Sequence, residues 1–119
     1  MINWPLDFMN VVDSGNLDDL NNLLTQDVTL TFANNTPVSG SENLLSIFKL
    51  AQESNDRIWH DIEFISKSRE KDYDIYYVEA KANYQRDQKV IRLPVVSCLR
   101  VRSGKVFDYR IYMDPTPAF

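Results

Sequence analysis

Apolar residues recur at helical spacing early in the chain and at alternating positions in its second half. Leu6, Met9 and Val12 lie three apart behind Pro5, which suits a first helical turn, and Gly15 is a natural stop. Leu17, Leu20 and Leu24 form a second helical stripe. Residues 28–33 alternate with period two and predict a strand, and the run Asn34-Asn35-Thr36-Pro37 is turn material. Ser39 and Glu42 stand at capping-box spacing, which predicts a helix start there. Leu44, Ile47, Phe48 and Ala51 give that helix one apolar face.

From Trp59 the period changes. Residues 59–66 and 74–84 read as strands, separated by the charged turn 69–72, and 85–88 is a polar turn. Two β-rich runs then flank Ser103-Gly104, a hairpin signal over residues 89–113 closed by Asp114 and two prolines. Consecutive strands on short turns pair as an antiparallel meander, and helices gathered on one face make an α+β domain. The chain reads as one such domain over residues 1–119.

Alternation also predicts the faces. On the last strand Phe107, Tyr109, Ile111 and Met113 face inward, with Asp108, Arg110, Tyr112 and Asp114 opposite. On the strand before it, Ile91, Leu93, Val95, Ser97, Leu99 and Val101 share a face, and Pro94 implies an edge or a bulge. Tyr76, Val78, Ala80, Ala82 and Tyr84 share the apolar side of the middle strand, where the two small alanines leave room for a hollow.

Composition narrows the class. Cys98 is the one cysteine, so no intramolecular disulfide and no cysteine zinc site is expected. The opening residues lack a signal-peptide pattern and no apolar run reaches bilayer length, so no membrane partner and a cytoplasmic setting are expected. The net charge of −4 speaks against a nucleic-acid partner. Residues 86–110 nevertheless hold seven basic and two acidic groups, a local +5 against −9 elsewhere. These arginines read either as an anion-binding face or, more plainly, as outer-face partners of acids across strands.

The chain resembles the SnoaL-like proteins of the nuclear transport factor 2 superfamily. The resemblance is carried by Asp27 to Phe32, Asn35 to Gly40, Val78 to Tyr84, Leu93-Pro94, and Gly104 to Pro115. It implies a cone-shaped α+β barrel whose curved sheet wraps a long helix and encloses an apolar cavity, commonly in a homodimer formed through the sheet. It also implies cofactor-free isomerase, cyclase or hydrolase chemistry on a polyketide-, steroid- or terpenoid-like molecule.

Such chemistry needs an acid or imidazole in a dry pocket and a donor for the developing oxyanion. Asp114 reads as a base at the pocket mouth, or more plainly as the cap of the next turn. His60, the one histidine, reads as a base oriented by Asp61 or Asp114, or as an ordinary hydrogen-bonded strand residue. Tyr109 or Tyr84 is the expected donor. Phe32, Phe48, Trp59, Tyr84, Ile111 and Met113 are the expected lining of a ligand site. The inward positions of the final strand carry no carboxylate, which departs from the cyclase-like pattern. Glu79 reads as an outward ion-pairing residue and Cys98 as a buried structural thiol. No metal-binding pattern, phosphate loop or dinucleotide fingerprint appears, and no cofactor is expected. The alternative is a non-catalytic dimeric module that binds a protein partner on its sheet face.

Overall fold

The computed structural model describes residues 4–118; the reading of the first three positions as part of a leaderless start, and Phe119, lie outside the described residues. Helices α1 (Trp4–Ser14) and α2 (Leu17–Asn21) precede strand β1 (Leu24–Phe32), a short β2 (Val38–Ser39), helix α3 (Ser41–Glu53), and β3 (Arg57–Arg69), β4 (Asp74–Arg86), β5 (Lys89–Arg102) and β6 (Lys105–Tyr112). The sheet order is β2-β1-β6-β5-β4-β3. β3 to β6 form the expected antiparallel meander, and β1 joins it parallel to β6. The chain is α+β, with a curved sheet and its helices on the concave side.

Three local irregularities bend the sheet: at Ile62–Phe64 in β3, where β6 passes Arg100–Val101 of β5, and where β1 passes β6. An extra residue in one strand of a pair breaks the ladder and increases twist. One of these corrects the face expected for Phe107. Arg100 pairs with Asp108 and Val101 with Val106, so Phe107 is the extra residue. It turns outward against Tyr73, with the Arg102 guanidinium 4.4 Å above its ring, and Val106 takes the core position. Pro94 sits in an unbroken β4–β5 register, on the part of β5 that β6 does not reach, so it marks an edge and not a bulge.

Two further details differ from the sequence pattern. Leu24 starts β1 and does not continue a helix. The capping box does not form, because Ser39 is paired to Thr29 in β2; Gly40, at φ 98°, takes the cap position without a side-chain bond. Phe8, Met9, Leu20, Val28, Leu44, Val78, Leu99 and Val106 form the main core between helices and sheet. Ala80, Ala82, Tyr84, Leu93, Val95 and Ala118 form a second, smaller cluster. The room left by the two alanines is therefore occupied by the chain after β6. The basic stretch fits the plainer reading only in part: Arg92 on β5 bonds Asp61 on β3, whereas Arg102 meets Asp72 in the β3–β4 turn and Arg110 meets Asp108 on its own strand.

Candidate functional site

Alternation along the curved strands leaves a cleft of about 960 Å³ that is open on one side. Its sheet wall is built from Leu30, Phe32, Ile58, Tyr84, Val95 and Ile111, and α3 contributes Ile47, Phe48, Leu50 and Ala51. The volume lies at the upper end of small-molecule sites, and the apolar lining gives bulk affinity without direction. Direction must come from the few polar groups that converge on it.

The sharpest of these is His60. It faces the cleft because it is the inward member of the Trp59–His60 pair on β3. Its partner is Asp13, in the last turn of α1. The ring Nδ1 lies 2.6 Å from Asp13 Oδ1, and the His60 backbone N–H donates to Asp13 Oδ2 at 2.9 Å. A carboxylate only accepts, so Nδ1 carries the proton and Nε2 is the ring nitrogen left for the cleft. The imidazole side chain is 11% exposed and the carboxylate 21%. The two bonds from one carboxylate fix both the tautomer and the orientation of the ring.

Tyr109 and Ser97 form the second polar pair. Tyr109 is fully buried, edge-on to Phe8 and Phe48. Burial pushes its hydroxyl well above the usual phenol range, and a bond from Ser97 pulls part of the way back. Ser97 is a buried polar residue in an otherwise apolar inward row of β5. Tyr84 also lines the cleft, with its hydroxyl 3.9 Å from Met113 Sδ, and burial pushes it up to about 12. All three hydroxyls are therefore neutral donors at ordinary pH.

The cleft thus gathers His60, Tyr109, Phe32, Phe48, Tyr84, Ile111 and Met113 from the sequence expectation, and it does not gather Trp59 or Asp114. Trp59 points to the outer face under the Arg57 guanidinium, 4.3 Å from its ring centre, since two adjacent strand residues cannot both face in. Asp114 is exposed and turned to its own loop, accepting from the Thr116 N–H at 3.1 Å and the Thr116 hydroxyl at 2.6 Å, which hold its carboxyl below the usual carboxylate range. This is the capping role. Asp61 does not orient His60 either. It lies on the outer face, bonded by Arg92 and Asn83, and both lower its pKa.

Asp13, Ser97 and Arg86 are the residues that sequence reasoning did not single out. Asp13 carried a faint signal: a carboxylate near a helix C-terminus opposes the helix dipole and so calls for another partner. Ser97 was the polar member of an apolar row. Cys98 is buried, and desolvation raises its thiol while Arg100 and Arg110 pull the other way, so it is a poor nucleophile. Glu79 is exposed on the outer face. Among the described residues no cluster of three or more His, Cys, Asp or Glu side chains could hold a metal ion. Among the same residues no helix is long and apolar enough to cross a membrane.

The family model described as the SnoaL-like domain matches residues 6–109. The chain belongs to the SnoaL-like domain family. Solved structures of the same NTF2-like fold agree with the architecture. A protein of the NTF2-like family from Streptomyces avermitilis, provisionally named a dehydratase, superposes with a TM-score of 0.79 at 13% identity, over 93% of this chain and 91% of its own. A provisionally named SnoaL-like polyketide cyclase from Jannaschia sp. CCS1 gives 0.72 at 17%, over 96% and 88%. The orange carotenoid protein of Anabaena (Nostoc) sp. PCC 7120, solved with canthaxanthin, gives 0.79 at 19%, over 98% of this chain and 38% of that longer one. No curated protein matches the sequence. At these identities the likeness extends to fold alone, so any activity of this SnoaL-like chain has to be argued from its own cleft.

Proposed function

We propose that this SnoaL-like protein holds a small apolar or aromatic molecule in the cleft and performs cofactor-free acid–base chemistry on it. His60 is the base, Asp13 orients it, and the Tyr109 hydroxyl, with Ser97 behind it, is the donor to a developing oxyanion. The single observation that carries this reading is the His60–Asp13 pair on the wall of a large, mainly apolar cleft. A dry surrounding strengthens a fixed donor and a fixed base alike. The substrate class is a polyketide-, steroid- or terpenoid-like carbon skeleton bearing a carbonyl, in line with the names of the cyclase and carotenoid-binding neighbours. Proton abstraction beside that carbonyl is the shared first step of the isomerase and cyclase outcomes.

The test is hydrogen–deuterium exchange at the carbon next to the carbonyl of polycyclic ketones, followed by NMR. The wild type should accelerate exchange, and His60→Ala should reduce that acceleration by about 10²–10⁴-fold, the usual contribution of a positioned base. Exchange that is catalysed equally by His60→Ala removes His60 from the chemistry.

A second reading, a dimeric module, has its own support. On the outer face Phe64, Glu79, Val96 and Tyr112 stand in register across β3 to β6, and Phe64 is 59% and Tyr112 52% exposed. A second copy of this chain covering that row would form a homodimer, leaving the cleft free. Sedimentation of the wild type against Phe64→Glu tests it: a monomeric wild type ends this reading. The cytoplasmic setting belongs with these proposals, with Cys98 as a free buried thiol.

A further inference from the structure

Most of the buried and half-buried polar side chains on the cleft wall are already engaged with the protein. His60 and Asp13 hold each other, Ser97 is bonded to Tyr109, and Tyr84 reaches Met113. Asn55 donates from Nδ2 to the Ala51 carbonyl at 2.7 Å and accepts from Arg86 Nε at 2.6 Å. Gln52 is the exception. It belongs to the α3 face formed by Phe48, Ala51, Gln52 and Asn55, which recur at helical spacing, are half-buried and line the cleft. Of the two carboxamides on this face, Asn55 is committed on both its oxygen and its nitrogen. Among the described residues the Gln52 carboxamide has no hydrogen-bond partner. It lies against the bare backbone of Gly15, where a Cβ would touch Nε2 at 3.4 Å; at φ 75° that position favours glycine. Gly15 closely follows Asp13 in the chain, so the uncommitted amide stands at the same end of the cleft as the reactive pair.

We propose that Gln52 is a specificity residue of the cleft, and that its carboxamide binds a second oxygen of the ligand, a hydroxyl or a carbonyl, in addition to the carbonyl that Tyr109 meets. The proposal rests on the cleft being the ligand site argued above. Water satisfies an amide on an open wall. An apolar skeleton that settles over it strips that water, and an amide left without a partner then costs much of what burial gains. A ligand oxygen at the same place removes the cost. The discrimination is therefore lopsided: the amide adds little for the matched ligand and rejects the one that lacks the oxygen. An amide both donates and accepts, so a hydroxyl can engage it in either sense and a carbonyl in one. It carries no net charge, so it does not repay the desolvation of a carboxylate.

The experiment compares α-tetralone with phenolic α-tetralones that carry one hydroxyl at successive ring positions, each titrated by NMR into the wild type and Gln52→Met. At least one phenolic isomer should bind the wild type about tenfold more tightly than α-tetralone does. Methionine keeps nearly the same shape without the amide, so in Gln52→Met that ratio should fall to about twofold or less. α-Tetralone itself should bind the variant at least as tightly as the wild type, since no amide is left to desolvate. A change that merely loosened the helix would weaken every ketone alike and leave the ratio where it was, and that result overturns the proposal. Gln52→Ala, with a better helix former, answers the same question if the methionine variant does not fold. A wild type that binds the ketones without preferring any phenol overturns the specificity role while leaving the ligand site standing. Ketones that bind neither protein remove the ligand reading and this role with it.

Discussion

The concave face of the sheet has a solid end and a hollow end, built from the same alternating pattern. At the solid end α1 lies over the strands. Trp4 stacks on Phe8 and Tyr76, Phe8 meets Tyr109 edge-on, and Met9, Val78 and Leu99 fill the rest. At the hollow end, among the described residues, the flank of α3 and the turn after β6 line the cleft opposite Tyr84, Val95 and Ile111. Leu50 on that flank stays 64% exposed, and Ile47 is also exposed. The strands offer apolar side chains at both ends. Whether they become core or cleft is decided by how many helices are laid across them.

The largest effect that tests this contrast is a pair of identical truncations. Phe8→Ala at the solid end should lower unfolding free energy by about 3–5 kcal/mol, the cost of deleting a buried phenyl that neighbours cannot replace. Phe48→Ala at the margin of the cleft should cost roughly half that, because its ring is only half removed from water. Urea denaturation midpoints with equal slopes would read both. Equal losses would mean that the cleft is as tightly packed as the core.

The next effect is alkaline. The unfolded chain releases the Tyr84 proton near pH 10, while the fold holds it to about 12. A folded pKa above the unfolded one means that stability is fully present below pH 10 and falls as pH rises from 10 to 12. Two units correspond to at most about 3 kcal/mol. Tyr109, more deeply buried and also raised, adds its own decline over the same range and beyond. Tyr84→Phe should therefore flatten the alkaline slope in part and leave the neutral-pH midpoint nearly fixed. An unchanged slope would place Tyr84 in water.

A smaller loss is expected at the seam between the two ends. Asp13→Ala leaves the His60 backbone N–H and ring Nδ1–H without their acceptor, at about 1–3 kcal/mol for half-buried donors. Asp13→Asn keeps an acceptor and should recover most of that stability, yet still lose the fixed tautomer. Comparing the two in thermal unfolding and in ketone exchange separates the structural role of Asp13 from its orienting one. If the asparagine variant exchanges protons as well as the wild type, Asp13 serves stability alone.

The meander, the inward faces of β4 and β5 and most of the cleft lining were legible because period two is a local property. Val78, Ala80, Ala82 and Tyr84 face in as the alternation requires. Phe107 was misread because it is itself the extra residue of a bulge, which inverts the phase there, and no residue type announces it. Trp59 was misread because alternation excludes one of two adjacent candidates without saying which. His60 was legible as a titratable group, but its partner was not: Asp13 lies 47 residues away, and only the packing of α1 on β3 brings the two together. The Arg86–Ala118 bond was illegible for the same reason, since the two residues meet only after the sheet has closed.

The smallest predicted effect concerns the carboxylate that looked most catalytic in the sequence. Asp114→Asn keeps an oxygen that can accept from Thr116, so the turn should stay closed and the melting temperature at neutral pH should stay within experimental scatter. What should change is the acid limb. The Thr116 bonds depress the folded pKa of Asp114, so its contribution is present above the unfolded value of 3.8 and is lost as pH falls through the folded pKa. The asparagine variant should lack that part of the acid slope, while the part belonging to Asp61, held down by Arg92 and Asn83, persists. Ketone exchange should match the wild type. A hundredfold loss of exchange in Asp114→Asn would instead carry the chemistry from the His60 wall to the turn, and the division between a reactive wall and a passive turn would have to be redrawn.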